Sequence, residues 1–238
     1  MLQEPSILSR LLYPFFDVLF TPTCCYCNTR LSSGEFYLCH PCWSAIPRLR
    51  PDDPLLIESR RKLCVDTVFS DVISLFRFEK DRELQSILHE LKYGGKTRVG
   101  LILGRMLGER IREAVLPQEI DACIPVPLHR AKHRERGYNQ SELICRGIRD
   151  AVGIRDSSSL IRRVRHTVSQ TTLSVEERRS NVDGAFAVSR RSPGRIKGKN
   201  FLVVDDVITT GATIRECATV LKGAGAAEVI ACSVALAS

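Results

Sequence analysis

Residues 201–213 read FLVVDDVITTGAT, and three kinds of chemistry follow one another in that order. Residues 201–204 are continuously apolar, as in a parallel strand covered on both faces, not alternating as in a half-exposed one. Asp205 and Asp206 come next, at the carboxyl end of that strand, the side on which open α/β sheets bind ligands. Thr209, Thr210, Gly211, Ala212 and Thr213 then make a strand-to-helix turn. Such a turn offers backbone N–H groups, hydroxyls and the positive end of a helix dipole to an anion. A monophosphate ester suits it, and two carboxylates accept hydrogen bonds from vicinal hydroxyls. Phosphate beside a diol describes a ribose 5-phosphate. The plain alternative is an acidic pair in a solvated loop. The chain contains neither a GxxxxGKS/T P-loop nor a GxGxxG fingerprint, so nucleoside triphosphate and dinucleotide folds have no support.

Working outward, a helix over 212–223 and a strand over 229–235 follow the segment. Upstream come a strand over 68–78, a helix over 81–91 stopped by Gly94-Gly95, and a helix over 99–114. A strand over 120–125 and a helix over 138–151 complete the series. Strands alternating with helices predict a parallel sheet with crossover connections, hence an α/β fold. At 238 residues, 44% hydrophobic and 26% charged, the chain can bury a core and carry a small appendage, and global disorder is not expected.

The net charge of +8 is uneven: residues 128–199 hold 17 Lys and Arg against 7 Asp and Glu. A basic middle implies a polyanionic partner, a pyrophosphate or a nucleic acid, with a solvated basic surface as the alternative.

The front of the chain has a different character. Cys24, Cys27, Cys39 and Cys42 form two C-x-x-C pairs with eleven residues between them. Four thiolates in that spacing suit one structural Zn²⁺ in a closed tetrahedral site, with metal-free thiols or a redox pair as alternatives. Cys25 and His40 are spare donors. A segment this small draws much of its folding free energy from metal. Residues 47–54 are turn-rich, and Cys64, Cys123, Cys145, Cys217 and Cys232 read as core fillers. We therefore expect a module over 1–60 and a larger domain over 61–238. Ten cysteines without an export signal argue for a reducing, cytoplasmic setting. Residues 7–20 have helical apolar spacing but are too interrupted to span a bilayer. They read as an amphipathic helix that packs on its own domain or docks on a membrane surface or partner.

Three further stretches carry polar chemistry. PVPLHRAKHRERGYNQ (125–140) crowds His129, Arg130, Lys132, His133, Arg134 and Arg136 into a short loop opening a helix, as a polyphosphate clamp would. RVRHTVSQTTLSVEERRSNVDGAF (163–186) is polar and basic, either a hood over the site or an ordinary linker. LKYGGK (91–96) is a glycine turn with two amines, a weak signal alone.

Residues 201–213 resemble the phosphoribosyl-pyrophosphate (PRPP) signature of type I phosphoribosyltransferases. The order of all these motifs, from Cys24 onward, resembles the competence protein F (ComF/GntX-like) family. That resemblance implies a type I phosphoribosyltransferase fold, a parallel sheet flanked by helices, with a small N-terminal zinc-finger module, in a protein serving DNA uptake in natural transformation. It implies that Asp205 and Asp206 bind the PRPP ribose hydroxyls, that Thr209, Thr210, Gly211, Ala212 and Thr213 hold the 5-phosphate, and that Val126, Pro127, Leu128, His129 and Arg130 form the pyrophosphate loop. Mg²⁺ is expected to arrive with PRPP. Single-stranded DNA and a competence helicase or other uptake machinery are the implied partners, at the inner face of the cytoplasmic membrane. Arg136, Gly137, Tyr138, Asn139 and Gln140 match a family motif whose role the chemistry does not assign. Val168 stands where relatives often have Pro, which touches only local loop rigidity.

If transfer occurs, a nitrogen nucleophile displaces pyrophosphate from C1 of PRPP. No residue is assigned as catalytic. A non-catalytic, PRPP- or nucleotide-responsive accessory that binds single-stranded DNA is the competing expectation. Between 128 and 199 only Tyr138 and Phe186 supply aromatic surface for it. A ligand-sensing regulator is a third, weakened by the lack of an obvious winged-helix segment.

Overall fold

The structure is a computed structural model and describes residues 22–114, 116, 119–156, 160–164, 184–189 and 193–237. The expected helix over 7–20 and most of the 163–186 stretch lie outside the described residues.

Seven strands are present among these: β1 (Asp71–Arg77), β2 (Ala122–Pro125), β3 (Arg155–Asp156), β4 (Ile161–Arg163), β5 (Phe186–Val188), β6 (Asn200–Ile208) and β7 (Glu228–Leu236). Seven α-helices join them: α1 (His40–Ala45), α2 (Pro54–Leu63), α3 (Glu83–Tyr93), α4 (Thr97–Glu113), α5 (Arg130–Arg136), α6 (Gln140–Val152) and α7 (Ala212–Gly223). Five strands form one parallel sheet in the order β1-β7-β6-β2-β3, while β4 and β5 pair antiparallel beside it.

The unbroken apolar runs of β6 and β7 reflect cover on both faces. Leu202 and Val204 enter one core with α3, α4 and α6; Phe201 and Val203 enter the other with α2, α7 and the β4–β5 pair. The result is the expected parallel sheet flanked by helices. α4 carries Gly at every fourth position (100, 104, 108), which lets its backbone touch that of α6. A Cβ on Gly104 would sit 2.1 Å from the Ile144 carbonyl oxygen, and one on Gly147 would sit 2.4 Å from that of Leu101. This contact seats α6, whose first turn reaches the candidate site.

Several boundaries differ from expectation. β6 continues to Ile208, because β7 pairs with it as far as Leu236, so Asp205 and Asp206 lie inside a strand. The turn-rich stretch leads directly into α2. Asp53 caps that helix by accepting from the Leu55 N–H at 2.9 Å, and Pro54 occupies the first turn. The basic residues after β2 lie mostly on α5, so the loop shrinks to 126–129. Gly137, at φ 78°, ends α5.

The cysteine module is not an isolated bead. Cys24, Leu38, Cys39, Cys42 and Ile46 share a core with Ile87 and Leu91 of α3. A division at residue 60 passes through α2. Cys123, Cys145, Cys217 and Cys232 are buried core residues, and Cys64 is half-buried. Among the described residues no helix is long and apolar enough to cross a membrane.

Candidate ribose-phosphate crevice and four-cysteine cluster

After β2 the chain runs through α5 and α6 to β3, on one side of β2; after β6 it runs through α7 to β7, on the other side. β2 and β6 are neighbours, so their carboxyl ends open a crevice where the connections diverge. Such a switch point is where open α/β sheets take their ligands. Strand pairing between them stops at Pro125 and Val204, with one further bond from the Val126 N–H to the Val204 carbonyl at 2.9 Å. Residues 126–130 and 205–213, named from sequence as separate subsites, therefore flank one crevice.

On the β6 side a cleft is lined by Asp205 and residues 207–214. Gly211 is the N-cap of α7 at φ 75° and supplies no capping side chain, so no acceptor from the cap residue occupies the helix's first amides. A side chain there would be strained and would meet Leu63 of α2 at 2.4 Å. Thr209 and Thr210 are exposed, Ala212 and Thr213 half-buried.

The two carboxylates behave differently. Asp206 is buried at 5% exposure and forms an ion pair with Lys92, the last-turn lysine of α3. Burial opposes both charges, yet each partner's charge prevails, holding the Asp206 carboxyl below its ordinary range and the Lys92 ammonium above its own. Asp205 is pushed up to about 8, by burial first and the adjacent Asp206 charge second. Its Oδ1 accepts from the Ser141 hydroxyl at 3.1 Å and from the Asp206 N–H at 2.9 Å.

Cations converge on the same place. Burial, then the nearby charges of Arg136 and Arg163, depress the Lys132 ammonium. Burial lowers the Arg163 guanidinium, against the pull of Cys217 and Asp205. Of these, sequence reasoning placed Lys132 and Arg136 in the basic loop and Arg163 only at the start of the polar stretch 163–186, and it missed Ser141. Lys92 was legible only as an amine in a glycine turn. His129 caps α5, accepting through Nδ1 from the Ala131 N–H at 3.2 Å, while Arg130 is exposed.

The Arg136–Gln140 motif holds this geometry. Arg136 donates to Gln140 Oε1 and to the Tyr93 hydroxyl, each at 3.1 Å, and lies over the Tyr93 ring. Tyr138 donates its hydroxyl to the Leu91 carbonyl. Asn139 caps α6 by accepting from the Ser141 N–H at 3.1 Å and donates to the Val126 carbonyl at 3.0 Å. One helix start thus ties together the turn at 91–95, the loop after β2 and Asp205.

At the front, the Sγ atoms of Cys24, Cys27, Cys39 and Cys42 all lie within 4.8 Å of one another; Cys25 and His40 stand outside the cluster. A tetrahedral ion with Zn–S bonds of about 2.3 Å sets its sulfurs roughly 3.8 Å apart. The Cys27–Cys39 separation of 3.6 Å is of that size, so the donor set fits a metal. Hydrogen bonding with Thr29 lowers the exposed Cys27 thiol to about 6, whereas burial pushes Cys42 up.

A family model described as "Phosphoribosyl transferase domain" matches residues 150–237. "DNA utilization protein YhgH" of Salmonella typhimurium is 34% identical over 149 residues, 61% of this chain and 64% of that protein. "Competence protein F" of Haemophilus influenzae is 31% identical over 149 residues, 61% of this chain and 65% of that protein. Over this stretch the chain is similar to proteins of the competence protein F family. "Competence protein ComFC" of Bacillus subtilis is 23% identical over 195 residues, 81% of this chain and 69% of that protein. The match thus spans just under two thirds of the first two relatives. The chain has a type I phosphoribosyltransferase fold with an N-terminal cysteine cluster able to hold a metal.

Proposed function

We infer that this protein binds PRPP with Mg²⁺ in the crevice between β2 and β6 and serves DNA uptake. The observation that carries this is the pairing of unlike chemistry at one switch point. Two carboxylates and a glycine-capped helix start sit on β6, and Lys92, Lys132, Arg136 and Arg163 converge opposite them. A diol needs acceptors, a phosphate needs amides, and a pyrophosphate needs cations. Asp205 and Asp206 would take the ribose hydroxyls, residues 209–213 the 5-phosphate and residues 126–130 the pyrophosphate. Mg²⁺ would neutralise pyrophosphate oxygens, and a nitrogen nucleophile would displace pyrophosphate from C1. Cys24, Cys27, Cys39 and Cys42 would hold a structural Zn²⁺, in a module over 1–60 beside a domain over 61–238. The relatives' names, which speak of competence and DNA utilization, support the role in DNA uptake. That role would be exercised in the cytoplasm, at the inner face of the membrane, alongside a competence helicase or other uptake machinery. Calorimetric titration with PRPP and Mg²⁺ tests the site: saturable binding is expected, lost in both Asp205→Asn and Asp206→Asn. Unchanged affinity in either variant overturns the assignment.

One observation favours the single-stranded DNA-binding alternative. Tyr93 is 56% exposed with Arg136 at 4.9 Å from its ring, and Phe36 is 44% exposed with Arg98 at 4.3 Å. Folding thus brings one exposed ring, Tyr93, to the basic region and sets a second, Phe36, beside an arginine outside it; rings beside cations are what single strands stack on. Tyr93→Ala should weaken binding of an oligothymidine about tenfold, a loss of stacking energy; no change removes this alternative's structural support.

A further inference from the structure

Resting on the phosphoribosyl assignment above, we propose that Asn139 and Ser141 are positioning residues that serve different halves of the ligand: Asn139 sets the loop that meets the pyrophosphate, and Ser141 sets the carboxylate that meets the ribose.

Asn139 and Ser141 are 2% and 1% exposed, so neither has solvent to satisfy it, and each sends its side-chain donor outside its own helix. The Asn139 amide donates to the carbonyl of Val126, the first residue after β2. That bond fixes where the loop departs from the sheet, and with it the direction in which residues 128–130 present their amides. The Ser141 hydroxyl donates to Oδ1 of Asp205, sixty-four positions away. The Asp206 N–H reaches the same oxygen, so Oδ1 is held twice. Asp205 lines the cleft, and its side chain also meets that of Asp206, the second acceptor proposed for the ribose. Without Ser141, Oδ1 keeps only the Asp206 N–H, and the carboxyl group turns more freely about χ2, a soft torsion for Asp.

The two residues are neighbours on one helix turn, and the Asn139 side chain also accepts from the Ser141 N–H. A merely structural role would therefore make their loss look alike. A positioning role makes it look different, because the two bonds point to opposite walls of the crevice. The seating of α6 against the glycines of α4 keeps this first turn at a fixed depth.

The test is calorimetry with two probes, PRPP with Mg²⁺ and ribose 5-phosphate, which lacks the pyrophosphate. Asn139→Asp keeps a capping oxygen but has no N–H for Val126. It should weaken PRPP about tenfold and leave ribose 5-phosphate within about twofold, the size expected for one lost hydrogen bond. Ser141→Ala should weaken both probes by a similar factor, each about fivefold to tenfold. If Asn139→Asp does not fold, Asn139→Ser carries the same test, since Ser caps well but is too short to reach Val126. Equal losses of both probes in the Asn139 variant, or no loss in either variant, overturn the proposal. Wild-type protein that binds neither probe overturns the phosphoribosyl assignment itself, which is a distinct outcome.

Discussion

The four-cysteine cluster and the crevice at β6 both crowd ionisable groups together, but they gather them over very different spans of chain. The cluster takes its sulfurs from positions 24 to 42. The crevice combines Lys92, Ser141, Arg163, Asp205 and Asp206 from α3, α6, β4 and β6. The cluster's groups have like chemistry and bring no cation of their own. The crevice brings its own counter-ion, since Lys92 meets Asp206. A short-range site can be specified by spacing, whereas a long-range one depends on a scaffold that stays rigid without the ligand. The two meet in one core, where Cys39 and Cys42 pack with α3, the helix that carries Lys92.

That shared core gives the largest expected effect. Chelation, or Cys39→Ser, should remove bound zinc and cost several kcal/mol, because metal binding supplies folding free energy to a module this small. Zinc content by atomic emission and thermal unfolding check it. Full zinc content in the variant breaks the four-thiolate assignment. Loss of zinc without any change in PRPP affinity would sharpen the contrast, showing the crevice independent of the cluster.

Next comes the buried ion pair. Asp206→Asn leaves the Lys92 ammonium without its carboxylate, an expected loss of about 3 kcal/mol in denaturant unfolding. The double variant with Lys92→Met should regain most of that stability but not PRPP binding. Additive losses would mean that the pair is not coupled.

A third effect is a pH dependence. Asp205 titrates at about 8 in the folded chain against an ordinary 3.8. The folded state therefore keeps a proton that the unfolded chain has shed, and this group makes stability fall as pH rises from about 4 to 8. Asp206, held low, costs stability only as pH falls through its unfolded range. Asp205→Asn should flatten the decline between pH 4 and 8 in ligand-free protein. An unchanged profile would place the raised pKa elsewhere.

Much of this was legible in the residues. The apolar run of 201–204 announced a strand covered on both faces, the C-x-x-C pairs announced a four-cysteine cluster, and Gly211 announced a turn. Each depends on neighbours in sequence, where periodicity and spacing carry physical meaning. The helix α2 was hidden because Pro and Asp signal both turns and helix starts, and only the Leu55 amide on Asp53 distinguishes them. The length of β6 was hidden because two carboxylates look like a strand's end until β7 pairs beyond them.

By itself the sequence determined the classes of chemistry present: a parallel α/β core, a four-thiolate cluster, a carboxylate pair before a glycine turn, and a basic middle. Only the tertiary structure decided which groups face one another. It set Lys92 on Asp206 and Ser141 on Asp205, and it put the Arg136–Gln140 motif at the joint of three loops. Local patterns record how a segment meets solvent and core. Partners far apart in the chain are chosen by strand order and by the closeness that glycines permit between helices, and neither is written in any single segment.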